Sequence, residues 1–356
     1  MTRPTTGVER FAVELLRAWL PTHDRARSAT LALPSHNGEE SASGHAQRLG
    51  IGVGGTVDGS LQGHAWEQLQ LPGMSKGSVL VNLCNSAPIA CRRQIVVVHD
   101  AAVVAMPSSY SFAYRSWYRW ITNELMHRAA VVATVSEFSA AEIRRCFGRR
   151  KREIAVIHES GEHMLREAAD PGVLERLGLV GRRYVLTVGS LSPTKNLAAV
   201  VKAAALLRDL DVAVVAAGSA NARVFNSRGA AADGVLGTGR VSNGELRALY
   251  ENAQCFVFPS LYEGFGLPPL EAMHCGCPVI VSRRASMPEV CGDAAVYFDP
   301  SDPAEIAQQI RRVIGSAALR AEMREAGHQR VRRFSWAKAA EQFEQVFAHH
   351  FPAAAA

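Results

Sequence analysis

The sequence lacks long apolar runs. No uninterrupted run reaches the ~18 residues that a membrane-spanning helix needs, and the first residues do not contain the apolar core of a signal peptide. A disulfide framework is not indicated either, because the seven cysteines are odd in number and stand mostly in apolar surroundings. We therefore expect a protein of the reducing cytoplasm, either soluble or held peripherally at the inner face of the cell membrane.

The sequence also has few signs of a metal site or a nucleic-acid-binding surface. His274, Cys275 and Cys277 stand close together, but no second pair of ligands follows at the spacing of a zinc site. Lys and Arg number 39 against 33 Asp and Glu, a formal net charge of +6 without a recognisable nucleic-acid-binding module. We expect no metal and no nucleic acid. The basic excess, densest at residues 149–152, either covers a solvated surface or attracts anionic lipid or a diphosphate.

The most informative stretch is residues 255–282. An apolar segment of strand length at 255–259 is followed by a loop with two glycines, and a helical stretch then runs from Leu267 to His274. A second apolar segment of strand length follows at 279–281. Strand, glycine loop, helix and strand in this order predict one βαβ unit.

The loop of this unit has the residue types of a phosphate site. Gly264 and Gly266 allow a ligand to approach the backbone, and Pro268 suits the first position of a helix whose free amides and dipole favour an anion. Glu263 and Glu271, eight positions apart, are good acceptors for sugar hydroxyls. Together these features predict a site for a sugar nucleotide. Spacing alone leaves a plain structural turn as an equally open interpretation.

The sequence from Phe258 to Val279 resembles the signature of family 4 retaining glycosyltransferases, in which seven residues separate two glutamates. On this resemblance we expect an α/β protein of the GT-B fold, with two Rossmann-like domains facing across a cleft and a C-terminal helix that crosses back to the first. The family implies a nucleotide-sugar donor, a glycan or lipid-linked acceptor, and no metal or other cofactor. Residues 66–72, predicted to end a helix before Pro72, resemble the bacterial mannosyl- and rhamnosyltransferase branch, which favours mannose from GDP-mannose.

The resemblance also implies domain limits. The acceptor-side domain is expected over residues 1–167, a linker over 168–183, the nucleotide-sugar-binding domain over 184–335 and the crossover helix over 336–356. In the family a first strand precedes the turn that holds Gly7 and Arg10, but here almost nothing does. We therefore expect the first domain either to lack this strand or to have another segment in its place.

Several site residues follow from the resemblance. His99 ends an apolar strand at the sheet edge where α/β proteins bind ligands; it either caps its own loop or, as in the family, lies beside the transferred sugar. Lys195 is expected at the diphosphate, and Ser190 stands where the family has an arginine, so that Arg10 is a candidate replacement. We expect catalytic roles for His99, Lys195 and Glu263. The expected donor-binding residues are Gly7, Arg10, Ser190, Lys195, Val241, Glu263, Gly264, Phe265, Gly266, Leu267 and Glu271.

Two questions stay open at the level of sequence. The aromatic stretch 110–120 is either part of the core or a helix that faces an acceptor or a membrane. After the last strand of the first domain the family has an Asn-Gly pair, of which this chain keeps only Gly161. This departure, with Ser190, leaves a non-catalytic sugar-nucleotide or glycan-binding protein as an alternative, and a sugar-nucleotide epimerase as a weaker one.

Overall fold

The computed structural model describes residues 6–22, 25–34, 41–148, 153–190, 192–218 and 234–355. The basic cluster predicted at 149–152 lies outside the described residues. Contacts divide the chain into two compact units, one formed by Met1–Glu159 with Trp336–Ala356 and the other by Ser160–Ser335. The sequence placed the end of the first domain at residue 167 and a linker at 168–183. In the structure that linker segment contains a helix, Gly172–Arg176, which belongs to the second unit.

The strands of the described residues are all parallel to their neighbours. In chain order they are β1 (Thr30–Leu33), β2 (Gly55–Asp58), β3 (Leu80–Asn82), β4 (Gln94–Val97), β5 (Val131–Thr134), β6 (Ala155–Val156), β7 (Tyr184–Val188), β8 (Ala213–Ala217), β9 (Val235–Gly239), β10 (Cys255–Phe258), β11 (Val279–Ser282) and β12 (Ala295–Phe298).

Helices connect these strands. They are α1 (Gly7–Thr22), α2 (Ala42–Leu49), α3 (Gly63–Ala65), α4 (Leu71–Met74), α5 (Ala102–Ala105), α6 (Phe112–Arg128), α7 (Glu137–Phe147), α8 (Gly172–Arg176), α9 (Leu197–Ala205), α10 (Asn243–Asn252), α11 (Leu267–His274), α12 (Met287–Cys291), α13 (Pro303–Gly315), α14 (Ala317–Val331), α15 (Trp336–His350) and α16 (Pro352–Ala355). No helix in the described ranges is both long and apolar enough to cross a membrane.

The first unit contains a four-stranded sheet in the order β3-β4-β5-β6 and a separate two-stranded sheet, β1-β2. β4 and β5 are buried along their whole length, and their residues are apolar except for Gln94 and Thr134. The C-terminal helix α15 packs on α1, where the rings of Trp19 and Phe343 lie 4.7 Å apart edge to face and Trp19 Nε1 donates to Glu344 Oε2 at 2.6 Å. The predicted return of the last helix to the first domain is therefore confirmed.

The second unit contains a six-stranded sheet in the order β12-β11-β10-β7-β8-β9. The chain builds outward from β7 in one direction through β8 and β9, and then in the other direction through β10, β11 and β12. The order therefore reverses between β7 and β10. In open α/β sheets a ligand binds outside the carboxyl ends of the strands at such a reversal.

Two segments of the first unit differ from the sequence-based expectation. The helix predicted to end before Pro72 continues through it to Met74, because a π-helical turn at Trp66–Gln70 ends just before α4 and places Pro72 in a first turn, where no backbone N–H is needed. The polar sequence of residues 35–44 predicts a loop, but α2 begins within it at Ala42, where Ser41 caps the helix by accepting from Gly44 N; residues 35–40 lie outside the described residues. Ser136 caps α7 by accepting from Ser139 N at 3.0 Å.

Candidate active site

The predicted βαβ unit is present as β10, α11 and β11, and the loop between β10 and α11 lies at the sheet reversal. Gly266, the residue before α11, has φ +113°, and a Cβ there would come within 2.2 Å of Met287 Cε. Only glycine fits this position without strain. Pro268 lies in the first turn of α11, as predicted.

Lys195 and Glu263 meet at this loop. Lys195 Nζ donates to Glu263 Oε1 at 2.7 Å, and Ser260 Oγ donates to the same oxygen at 2.6 Å. The Lys195 side chain is 27% exposed and that of Glu263 13% exposed, so the pair is partly open to solvent. Lys195 Nζ also lies 5.5 Å from the centre of the Phe258 ring, within reach of a cation–π contact. Two residues that the sequence proposed for the site, 68 positions apart, are thus brought into direct contact.

Serine hydroxyls hold the glycine loop from behind. Ser286 Oγ lies within hydrogen-bond distance of the Glu263 and Phe265 carbonyl oxygens, and Ser282 Oγ donates to Ser260 O at 2.6 Å. The Phe265 ring packs edge to face on Phe334 at 5.7 Å. These contacts fix the loop backbone. Neither serine was predicted from the sequence to belong to the site. The available signal was their place at the end of β11 and in the turn that follows it, one strand away from the loop.

Glu271 lies in α11 and is almost fully buried, with 7% of its surface exposed. His163 Nε2 lies 2.9 Å from Glu271 Oε1, and Tyr250 OH donates to Oε2 at 3.3 Å. Burial, and next the Glu271 charge, raise the pKa of Tyr250, so this hydroxyl stays protonated and able to donate. Glu263 therefore contacts Lys195 and Ser260, whereas Glu271 contacts His163 and Tyr250. Neither His163 nor Tyr250 was proposed from sequence.

The remaining predicted donor-binding positions of the second unit lie in loops. Ser190 is exposed after β7, and its Oγ accepts weakly from Ser192 N at 3.4 Å. Val241 is half-buried between β9 and α10, next to Ser242, whose side chain forms a capping box with Glu245. Gly264, Phe265, Gly266 and Leu267 are buried in the loop and at the start of α11. Their predicted contacts with a donor stay predictions.

The first unit holds the other predicted residues. His99 is 5% exposed, with Nε2 2.9 Å from Leu83 O and Nδ1 3.4 Å from Glu159 Oε1, and its ring packs edge to face on Phe11 at 4.9 Å. Both ring nitrogens thus face oxygen atoms of its own unit. Gly7 is exposed at the start of α1, and Arg10 is half-buried one turn later. The predicted roles of His99, Gly7 and Arg10 toward a sugar or a diphosphate stay predictions.

Within the described ranges no group of three or more His, Cys, Asp or Glu side chains is arranged to hold a metal ion. Around α11, burial raises the pKa of Cys275 to about 12 and lowers that of His274 to about 4. The Cys275 thiol therefore stays protonated at neutral pH, which is a poor state for a metal ligand.

Comparison with known proteins agrees with this geometry. Residues 175–330 match the family described as Glycosyl transferases group 1. O-antigen chain mannosyltransferase B of Escherichia coli is 30% identical over 260 residues, which cover 70% of this chain and 68% of that protein. The chain belongs to the glycosyl transferases group 1 family. The serotype-specific mannosyltransferase WbdA of Escherichia coli is 32% identical over 198 residues, but these span only 23% of its length.

Solved structures identify the fold of this glycosyltransferase. The Anabaena protein Alr3699/HepE, solved in complex with UDP-glucose, superposes with a TM-score of 0.74 over 98% of both chains at 17% sequence identity. The predicted GT-B fold, with parallel sheets in two Rossmann-like regions, is confirmed.

Proposed function

We propose that this protein is a retaining, metal-independent glycosyltransferase that moves a hexose from a nucleotide-sugar to a glycan or lipid-linked acceptor in bacterial polysaccharide synthesis. The observation that carries the proposal is the Lys195–Glu263 pair, located at the sheet reversal beside the start of α11. Mannose from GDP-mannose is the first candidate donor, supported by the mannosyltransferase names of relatives about 30% identical.

The proposed roles follow from position and chemistry. Lys195 and the first amides of α11 offset the charge that grows on the diphosphate as the glycosidic bond breaks, which removes the need for a metal ion. Glu263 accepts from hydroxyls of the sugar and Glu271 from those of the ribose. No residue is assigned as a nucleophile. Retention proceeds through a short-lived oxocarbenium-like ion, attacked by the acceptor hydroxyl on the face that the diphosphate leaves, and the departing phosphate takes the hydroxyl proton.

The surface of α6 supports a lipid-linked acceptor and contact with an anionic membrane. Phe112 is 75% exposed, Trp120 45% and Tyr114 44%, and Arg119 is exposed on the same helix. Exposed aromatic rings with arginine are the residue types that favour the interface of an anionic membrane. The inner side of the same helix, with Ile121 and Leu125, belongs to the core. Trp117 and Tyr118 of the aromatic stretch pack against this core, so the stretch contributes to both the core and the surface.

A donor screen tests the proposed function. The protein is incubated with GDP-mannose, UDP-glucose and dTDP-rhamnose, with and without a chelator, and release of the nucleoside diphosphate is measured. We expect release from one donor, most strongly from GDP-mannose, at a rate that the chelator leaves unchanged. The anomeric configuration of the transferred sugar, measured by NMR, is expected to be retained. An inverted product would contradict the retaining mechanism, and chelator-sensitive release the absence of a metal.

Ser190 favours a second candidate, a non-catalytic sugar-nucleotide-binding protein, because this exposed hydroxyl carries no charge where the family has an arginine. Binding of a donor without any release of its sugar would select this alternative. In that case Ser190→Arg tests whether the parent protein is inactive because it lacks a cation at this position. Turnover in the variant would show that Ser190 causes the inactivity. If the parent is active and Ser190→Arg adds nothing, another residue, such as Arg10, supplies the charge.

A further inference from the structure

Glu271 is buried in the second unit and contacts two other buried side chains through its carboxylate. Its carboxylate meets an imidazole on one oxygen and a phenol on the other, at 2.9 Å from His163 Nε2 and 3.3 Å from Tyr250 OH. His163 is 4% exposed, Tyr250 0% and Glu271 7%. A buried carboxylate with two protein donors is restricted in its rotation, and its oxygens have defined directions.

The backbone brings His163 to this position. Gly161 lies against α11 so closely that a Cβ would come within 2.6 Å of Glu271 N and 2.7 Å of Leu270 C. Both contact atoms are backbone, so α11 would have to move to admit a side chain. The short 3₁₀ helix Glu162–Leu165 follows directly and places the His163 ring beside the Glu271 carboxylate.

The His163 ring is oriented from both ends. Nδ1 lies 3.3 Å from Ser160 O, and Nε2 lies 2.9 Å from Glu271 Oε1. Rotation of the ring by half a turn would bring the carbon atoms Cδ2 and Cε1 to the places of the two nitrogens and lose both contacts, so the ring orientation is defined. An N–H from Nε2 then fixes the direction of one Glu271 oxygen. An ionised carboxylate can accept about four hydrogen bonds, so it can hold protein donors on one side and ligand hydroxyls on another.

We propose that His163 is a positioning residue for the nucleoside part of the donor, which it serves by holding the Glu271 carboxylate in the direction that accepts hydrogen bonds from the ribose hydroxyls. The inference rests on the proposed function, because it takes the ribose contact of Glu271 from there. It adds a residue from the start of the second unit to those that determine the specificity for ribose. It also gives Gly161 a role, since the close approach of this residue to α11 sets the distance between His163 and Glu271.

The experiment compares a ribonucleotide with an analogue that cannot make the contact. Calorimetry measures the affinity of the full chain for GDP and for 2′,3′-dideoxy-GDP; uridine nucleotides replace them if the donor screen selects a UDP-sugar. The parent is expected to bind GDP at least tenfold more tightly than 2′,3′-dideoxy-GDP, which defines the affinity ratio of the two nucleotides. In His163→Leu this ratio is expected to fall below threefold, while the affinity for the dideoxy analogue changes by less than threefold.

Matched variants separate positioning from stability. His163→Gln keeps an N–H donor near Glu271 and is expected to restore an intermediate affinity ratio. It also replaces His163→Leu in the experiment if His163→Leu does not unfold cooperatively. His328→Leu removes an exposed histidine of the same unit and is expected to leave the ratio unchanged. In kinetics, His163→Leu is expected to raise KM for the donor at least fivefold with kcat changed less than twofold.

The outcomes distinguish this inference from the proposed function. A ratio that falls in His163→Leu and partly recovers in His163→Gln supports the inference. Equal weakening of both nucleotides, with the ratio kept, would mean a structural role only and would overturn it while the proposed function stands. Failure of the parent to bind any nucleoside diphosphate would overturn both.

Discussion

At the scale of single residues, the Lys195–Glu263 contact means that a diphosphate bound in the proposed site would compete with the Glu263 carboxylate for the Lys195 ammonium group. The pair is only partly buried, so its own contribution to stability is small, on the order of 1 kcal/mol or less. A diphosphate carries more charge than one carboxylate and can displace it. Glu263 is then available to accept from hydroxyls of the sugar, so one exchange of partners prepares both residues for their proposed roles.

Lys195→Ala is expected to slow transfer more than it weakens donor binding, because the charge on the diphosphate grows as the glycosidic bond breaks. We expect kcat to fall about 100-fold, in the range found when one charge-stabilising donor is removed from an active site. Steady-state kinetics and calorimetry on the same preparation provide the two measurements. Lys202→Ala, which removes an exposed lysine of α9, is the control and should behave like the parent. A loss confined to affinity would limit Lys195 to binding the ground state.

Glu271→Gln is expected to weaken binding of the free nucleoside diphosphate, because the proposed partner of Glu271 is ribose and not the sugar. Loss of the charge from one hydrogen-bond acceptor costs about 1.5–3 kcal/mol, or roughly a tenfold to hundredfold lower affinity. Calorimetry measures the affinity for the nucleoside diphosphate. The control is Glu322→Gln, which changes an exposed glutamate of α14. Equal affinity of Glu271→Gln and the parent would remove Glu271 from the site.

Gly266→Ala is expected to lower the free energy of unfolding by about 1–3 kcal/mol, since it forces a non-glycine residue to a positive φ. The added methyl would also push on Met287 Cε. Gly315→Ala is a matched control, because nothing lies within 4 Å of a Cβ there and its φ is not positive. Urea unfolding is expected to place the control within about 1 kcal/mol of the parent or above it. An unchanged midpoint for Gly266→Ala would mean that the loop adapts freely.

At the scale of secondary-structure elements, the sequence predicted best those strands and helices whose ends are marked by glycine or proline. The unit of β10, α11 and β11 was predicted to within one residue, because its strands are short apolar runs and its helix begins at Gly266 and Pro268. The π-helical turn before Pro72 was not predicted, since an extra residue in a helical turn leaves no mark in the hydrophobic pattern. β2 was also missed, because its four residues are too few and too polar for a period to be recognised.

The residues of the candidate site also differ in how well the sequence predicts them. Glu263, Glu271 and Lys195 could be proposed from local sequence, because Glu263 and Lys195 stand in turns between predicted elements and Glu271 lies within the short helix that follows the glycine loop. His163 could not, because its contact with Glu271 joins positions 108 residues apart and depends on how two segments pack. Only Gly161 gave a local sign, since a glycine kept where its neighbour differs suggests a close backbone approach.

The packing of α15 on α1 is expected to contribute strongly to the stability of the first unit. Phe343 is fully buried and its ring lies 4.7 Å from that of Trp19. Phe343→Ala should therefore lower the free energy of unfolding by about 3–5 kcal/mol. Phe112→Ala removes the same side chain from a site that is 75% exposed and should cost under about 0.5 kcal/mol. Chemical denaturation followed by tryptophan fluorescence compares them, and equal effects would contradict the assigned packing.

At the scale of the whole molecule, the two units differ in how well their sheets are protected. The second unit has one six-stranded sheet, and its central strands β7 and β10 have neighbours on both sides. The first unit divides its strands between a sheet of four and a sheet of two, and β1, β2 and β3 have no fully buried residue. Short, half-exposed strands with a single neighbour open more easily than central strands, because fewer contacts are lost when they separate.

Hydrogen exchange followed by mass spectrometry is expected to report this difference. Amides of β1 and β2 should exchange faster than those of β7, β10 and β11, by at least tenfold at neutral pH. Addition of the nucleoside diphosphate selected in the donor screen should slow exchange in residues 259–271, because the ligand stabilises the state in which the glycine loop and the start of α11 are formed. Strand β5, buried within the first unit, provides an internal reference for slow exchange there. Uniform exchange across both sheets would contradict the difference in protection, and ligand effects confined to β1 and β2 would contradict the location of the donor site.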